Sequence, residues 1–115
     1  MTGRAERWLS LLADDCENAR LLVSRGRHAF DSDPALPLAF EALANRIGDI
    51  SKRLMNDDPA RFSEPLWSLA ARNRDFVVHH YDVVDRNRLW LTVVNDFPSV
   101  AALVAEKLAH KSPDD

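Results

Sequence analysis

The sequence is poor in the residues that make turns and cross-links: one cysteine, three glycines and one tyrosine in 115 positions. A lone Cys16 cannot close an internal disulfide, which excludes the stapled secreted mini-domains and fits a reducing compartment. So few glycines leave little material for hairpin turns, and an all-β chain is disfavoured. The longest uninterrupted apolar run, Val100 to Ala105, falls far short of the ~18 residues that a membrane span needs. No secretory leader is legible, so the expected location is the cytoplasm, with no membrane partner. Cations are not in excess: 15 Lys and Arg stand against 18 Asp and Glu, a formal net charge of −3. That excludes a globally basic nucleic-acid coat protein and leaves room for a local basic site. The phosphate-loop, dinucleotide-loop and HExxH signatures are all missing. His79 and His80 are adjacent, about 100° apart on a helix, and make a poor ligand pair. No metal site and no cofactor are expected.

What is present is the balance of an ordinary folded domain, with 46% apolar and 29% charged residues. Residues 1–110 read as one domain, and 111–115 as a polar tail. From about Thr2 to Ser24, apolar residues recur at helical steps: Trp8, Leu11, Leu12, Cys16, Ala19, Leu22 and Val23. Arg25, Gly26 and Arg27 read as its stop. The clearest signal follows. Leu36, Phe40, Leu43, Ile47, Ile50 and Leu54 are spaced 4-3-4-3-4, a seam that only a helix keeps on one side. Asp33 and Pro34 open that helix, and Asn56 to Pro59 close it. Gly48 lies inside it at a cost of roughly 0.5–1 kcal/mol relative to Ala, so another backbone is expected to pass close there. Ser63, Glu64 and Pro65 open a third helix carrying Leu66, Trp67, Leu69, Ala70, Phe76, Val77 and Val84. Asp85 is placed to cap a short fourth with Leu89, Trp90, Val93 and Val94. Asp96, Phe97 and Pro98 start a fifth, with Val100, Leu103, Val104 and Leu108 inward. The expected fold is all-α: an up-and-down antiparallel bundle of about five helices.

One polar cluster stands out. Between Arg72 and Asp82 the chain crowds two arginines, Asn73, Asp75, His79, His80 and the only tyrosine, Tyr81, around Phe76, Val77 and Val78. A solvated helix face would read the same way, so convergence of these groups is what matters. On a helical wheel Arg74 and His79 are about 140° apart, whereas Arg74 and Tyr81 share a stripe, as do Arg72 and His79. One helix alone brings Arg74 onto His79 only through the arginine's long reach or a second subunit.

The run from Arg74 to Tyr81 resembles the R-x4-H-x-Y motif of HepT-like toxins, small members of the HEPN ribonuclease superfamily. Asp75 matches the polar residue that usually follows the arginine. Arg46 to Leu54 is similar to the family's second-helix pattern IGEAAKRL, with Asp49 in place of Glu. Leu89 and Trp90, then Asp96 to Pro98, look like the stretch downstream of the motif. The likeness covers about Phe40 to Leu103. Arg72, followed by Asn73, also satisfies a looser R-x4–6-H spacing. Arg74 is assigned because only it has the x4 spacing.

The resemblance implies an HEPN-like bundle and a metal-independent endoribonuclease, the toxin of a type VII-like toxin–antitoxin pair. Histidine titrates near neutral pH and can take the 2′-OH proton or protonate the leaving oxygen, the role implied for His79. Arg74 would clamp the scissile phosphate with its planar fork. Asp75, Arg72 and Asn73 would orient a neighbour or contact the substrate. Between Arg72 and Arg88 four Arg face three Asp, a small footprint for an RNA enzyme. The homodimer that the resemblance implies would double it. In HepT-like pairs a nucleotidyltransferase antitoxin transfers AMP to the tyrosine of the motif, and Tyr81 occupies that position. The alternative is a non-catalytic HEPN module that only docks a nucleotidyltransferase.

Overall fold

A computed structural model describes residues 3–79 and 85–110, and of 76–79 the backbone alone. Among the described residues the fold is five helical rods with no strand: α1 (Arg4–Val23), α2 (Gly26–Ser32), α3 (Ala35–Asp57), α4 (Pro65–His79) and α5 (Arg86–Ala109). Residues 80–84 and 111–115, with the expected helical stretch through Val84 and the polar tail, lie outside the described residues.

The seam read from spacing is the heart of the bundle. Leu36, Phe40, Leu43, Ile47, Ile50 and Leu54 of α3 are all buried, three of them completely. At its start Asp33 accepts a hydrogen bond from the Ala35 N–H at 3.0 Å, the cap expected there. α1 runs antiparallel to α3. Arg4, at the start of α1, pairs with Asp57 at the end of α3, and Arg46 Nε lies 3.0 and 3.1 Å from the two oxygens of buried Asp15. α4 is antiparallel to α3 in turn, with Ser68 against Met55 low on the pair and Arg74 against Asn45 high on it.

Within α1 the buried stripe is Leu9, Leu12, Cys16 and Ala19, while Leu11 is exposed. Leu11 and Leu12 are about 100° apart, so only one of them faces the core, and the 9-12-16-19 spacing selects Leu12. Burial pushes the Cys16 thiol up to about 12, with the nearby Asp15 charge adding to the rise. At pH 8 that leaves about one thiolate in ten thousand. Maleimide labelling of the native protein should therefore be slow and should become fast in urea. Rapid native labelling would contradict this burial.

Two departures from the expected layout have identifiable causes. The chain does not run straight from α1 to α3. Gly26 takes a left-handed φ of 91°, ending α1 as expected, and then opens the short α2. That helix has one buried apolar residue, Phe30, too little for a periodic signal. Phe30 anchors it in an aromatic cluster, its ring centroid 4.9 Å from Phe40 and 5.3 Å from Trp90. Arg27 ties it down further, donating to Asp31 at 2.9 Å and to Asn87 at 3.0 Å.

The second departure is a correction. The expected fourth and fifth helices are one continuous rod, α5. Asp85 caps it as expected, accepting from the Asn87 and Arg88 N–H groups at 2.9 and 3.2 Å. At Pro98, however, the helix widens instead of stopping. Thr92–Asp96 form a π-helical turn in which the Phe97 N–H donates to the Thr92 carbonyl, five residues back. The wider turn accommodates a proline that lacks an N–H and crowds the carbonyl four residues earlier. Leu89, Val93, Phe97, Val100 and Val104 form the buried stripe that spans both halves. By length and composition alone this 24-residue helix is apolar enough to cross a membrane. Between this helix and α1 lies an apolar groove of about 460 Å³ lined in part by Cys16, Val93 and Phe97.

The loop between α3 and α4 is held by charge. Arg61 sets Nη1 2.8 Å from buried Glu6, a Coulombic contact without hydrogen-bond alignment. Lys107 Nζ donates to the Arg61 carbonyl at 2.6 Å and lies 2.8 Å from Glu64. Glu64 also accepts from the Trp67 indole at 2.9 Å. Burial raises the Glu64 carboxyl, but these donors outweigh it and hold the group below the ordinary carboxylate range.

Candidate functional site

Gly48 determines where α4 lies. A Cβ built on it would come within 2.1 Å of Arg74 Cβ and 2.7 Å of the Ala70 carbonyl oxygen. The close backbone approach expected at this glycine is therefore present, and the residue that fills the notch is Arg74. Ala70 and Arg74 sit one turn apart on α4, a stripe that can face α3 closely because the position it meets, Gly48, has no side chain.

Seated there, the Arg74 side chain is 29% exposed and turns along α3. Its Nε donates to Asn45 Oδ1 at 3.1 Å, and its Nη1 donates to Asp75 Oδ1 at 3.1 Å. Two of its five N–H donors are used in orienting the guanidinium. Asp75 is half-buried. Arg72 lies on the exposed side of α4. The two arginines with competing spacing are thus separated by the fold: Arg74 is held against α3 and Arg72 faces solvent.

Asn73 faces α5. It is buried, and its amide donates to Asp96 Oδ2 at 3.2 Å. Asp96 belongs to the π-helical turn, so its carboxylate crosses to α4 instead of capping the residues that follow it. This pair fixes α4 to α5 one residue before Arg74. His79 is the last residue of α4, about 7.5 Å along the axis from Arg74 at the ordinary helical rise. The His79 side chain, His80 and Tyr81 lie outside the described residues.

Asn45 is the member of this constellation that the pattern of residues did not single out, and Asp96 was read as a helix start, not as a partner of Asn73. Asn45 stands just ahead of the Arg46 to Leu54 segment, three residues before the Gly48 notch, and that offset was the available signal.

A helical bundle that grips an arginine of an R-x4-H-x-Y motif between two helices defines the all-α, HEPN-like class. The comparisons with known proteins narrow it: a model of the Ribonuclease HepT-like family matches residues 12–106, and the chain belongs to that family. A Thermococcus cleftensis protein carrying the name probable ribonuclease HepT is 43% identical over 54 residues, covering 47% of this chain and 49% of that protein. A second relative, from Caldanaerobacter subterraneus subsp. tengcongensis and provisionally named an RNase, is 30% identical over 105 residues. That alignment covers 88% of this chain and 91% of the relative. No solved structure matches the chain at a comparable level.

Proposed function

We propose that this protein is a metal-independent endoribonuclease, the toxin of a toxin–antitoxin pair, and that it is silenced by AMP transfer to Tyr81. The observation that carries the reading is the seating of Arg74 in a chain that belongs to a ribonuclease family. The notch at Gly48 and the bond to Asn45 orient a guanidinium before any substrate arrives. Preorganised donors stabilise charge that develops on a phosphoryl group without reorganising at the moment of reaction. His79 supplies proton transfer: the 2′-oxygen attacks phosphorus, its proton passes to a base, and the 5′-oxygen leaves as it gains one. A two-fold homodimer brings both clusters to a shared cleft and doubles their positive charge.

The silencing step is a nucleotidyl transfer from ATP. The Tyr81 hydroxyl oxygen bonds to the α-phosphorus, the bond to the β-phosphate oxygen breaks, pyrophosphate leaves and the phenolic proton is lost. The added phosphodiester charge, seven residues from Arg74, competes for the donors that the RNA phosphate needs.

The test is RNA cleavage in EDTA by the wild type and by Tyr81→Phe, before and after incubation with ATP and the partner nucleotidyltransferase. Cleavage by both, an AMP-sized mass increment mapped to Tyr81 in the wild type, and escape of Tyr81→Phe from silencing are expected. Inhibition without an adduct would mean that the partner acts by docking alone. No cleavage under any condition would favour the non-catalytic binding module.

A further inference from the structure

At the end of the bundle where α1 begins and α3 finishes, Arg4, Trp8, Arg53, Asn56 and Asp57 line a shallow cavity of about 270 Å³, broadly open to solvent. The Arg4 guanidinium lies over the Trp8 ring, its carbon 5.3 Å from the centroid, and also pairs with Asp57, so a base stacking on that face displaces this exposed side chain. Arg53 Nε donates to Asp49 Oδ2 at 3.1 Å. An indole, two guanidinium groups and a side-chain amide around one small cavity are the chemistry of single-stranded nucleic-acid recognition. The ring stacks a base, arginines take phosphate, and an amide can both donate to and accept from a base edge. Asp49 and Asp57 oppose an incoming phosphate, but both arginines are largely exposed, and exposed pairs of this kind are weak and exchange readily.

The cavity is connected to Arg74 by one stripe of α3. Asn45, which holds Arg74, is followed at helical steps by Asp49, Lys52 and Asn56, all within about 60° of one another on the wheel. Lys52 and Asn56 are exposed. From Asn45 to Asn56 the helix rises about 16 Å, which holds at most about five phosphates at the ~3.4 Å spacing of a stacked strand.

We propose that the Trp8 cavity is a nucleobase-and-phosphate subsite for single-stranded RNA, occupied by nucleotides away from the scissile bond, with the strand lying along the outer stripe of α3. The assignment rests on the reading of Arg74 and His79 as the cleavage site. It explains how a chain of net negative charge holds RNA: the contacts are spread along one helix, with an aromatic platform at the far end.

The experiment compares wild type, Trp8→Ala, Trp8→Phe and Arg53→Ala on a dinucleotide and on an unstructured octamer of RNA. Initial rates are measured together with fluorescence-anisotropy binding of a labelled octamer. Loss of one stacked base corresponds to about 5–150-fold in affinity. The octamer KM and Kd should rise within that range in Trp8→Ala and by a smaller factor in Arg53→Ala. Trp8→Phe should retain most of the affinity, and the dinucleotide should be cleaved equally by all four proteins. Unchanged octamer binding in both alanine variants would overturn the subsite. So would equal losses on dinucleotide and octamer. Because Trp8 packs partly on the core, thermal melting accompanies each variant, and exposed Arg53 supplies the test should Trp8→Ala unfold. If the wild type binds the octamer but cleaves nothing, the cleavage reading fails. The subsite is then still decided by whether Trp8→Ala and Arg53→Ala weaken that binding.

Discussion

His79→Ala should lower RNA cleavage by about 10²–10⁴-fold, the range for loss of a positioned proton-transfer group. The expectation follows from the division of labour in the proposed site. Arg74 is oriented by Asn45, Asp75 and the Gly48 notch, none of which involves residue 79. Substrate binding through the guanidinium should therefore survive, and the loss should fall on kcat with KM nearly unchanged. The position of α4 is set by the Gly48 notch, Trp67, Ala70 and the Asn73–Asp96 pair, none of which includes His79, so the urea midpoint should hardly move. The pH dependence of the residual rate should also lose the limb that the imidazole contributes, since histidine titrates near neutrality. Undiminished cleavage in the variant, or a requirement for a divalent ion in the wild type, would remove the mechanism.

Gly48→Ala should have the largest effect on stability. Ala ordinarily improves a helix interior by about 0.5–1 kcal/mol over Gly. Here the new methyl would lie 2.1 Å from Arg74 Cβ and 2.7 Å from a backbone oxygen, and neither of these is the far end of a flexible side chain. The two helices must separate. Overpacking of a rigid contact costs typically 1–3 kcal/mol, occasionally more, and this case belongs at the upper end. Net destabilisation of about 2 kcal/mol or more is expected from urea unfolding. RNA cleavage should fall as well, because displacing α4 withdraws Arg74 from Asn45. A midpoint equal to wild type would show that α3 and α4 do not approach as closely as described.

The α3 seam and its cap were legible from residue order because both are local. A 4-3 repeat is satisfied by one helix whatever surrounds it, and an Asp ahead of a proline needs only its own next turn. The Gly48 notch was half legible. An interior glycine costs stability and so announced a close neighbour, but nothing in the spacing said that the neighbour was Arg74. The α2 helix was not legible, because one buried side chain makes no period and its anchors, Phe40, Trp90 and Asn87, are distant in sequence.

By itself the sequence determined the helical class, the buried face of α3 and the motif from Arg74 to Tyr81, because these follow from short-range periodicity and residue type. Tertiary structure decided the rest. Pro98 carries a local instruction to begin a helix, yet the buried stripe from Leu89 to Val104 makes one rod cheaper than two, and a π-helical turn absorbs the conflict. Asp96 was read as a helix start and instead crosses to Asn73, 23 positions away. Arg72 and Arg74 are equivalent by charge and nearly so by spacing. Spacing favours Arg74 as the motif arginine, and packing separates the two in space, Arg74 against the Gly48 notch and Arg72 in solvent, since a wheel states which residues share a face and only packing states what that face meets.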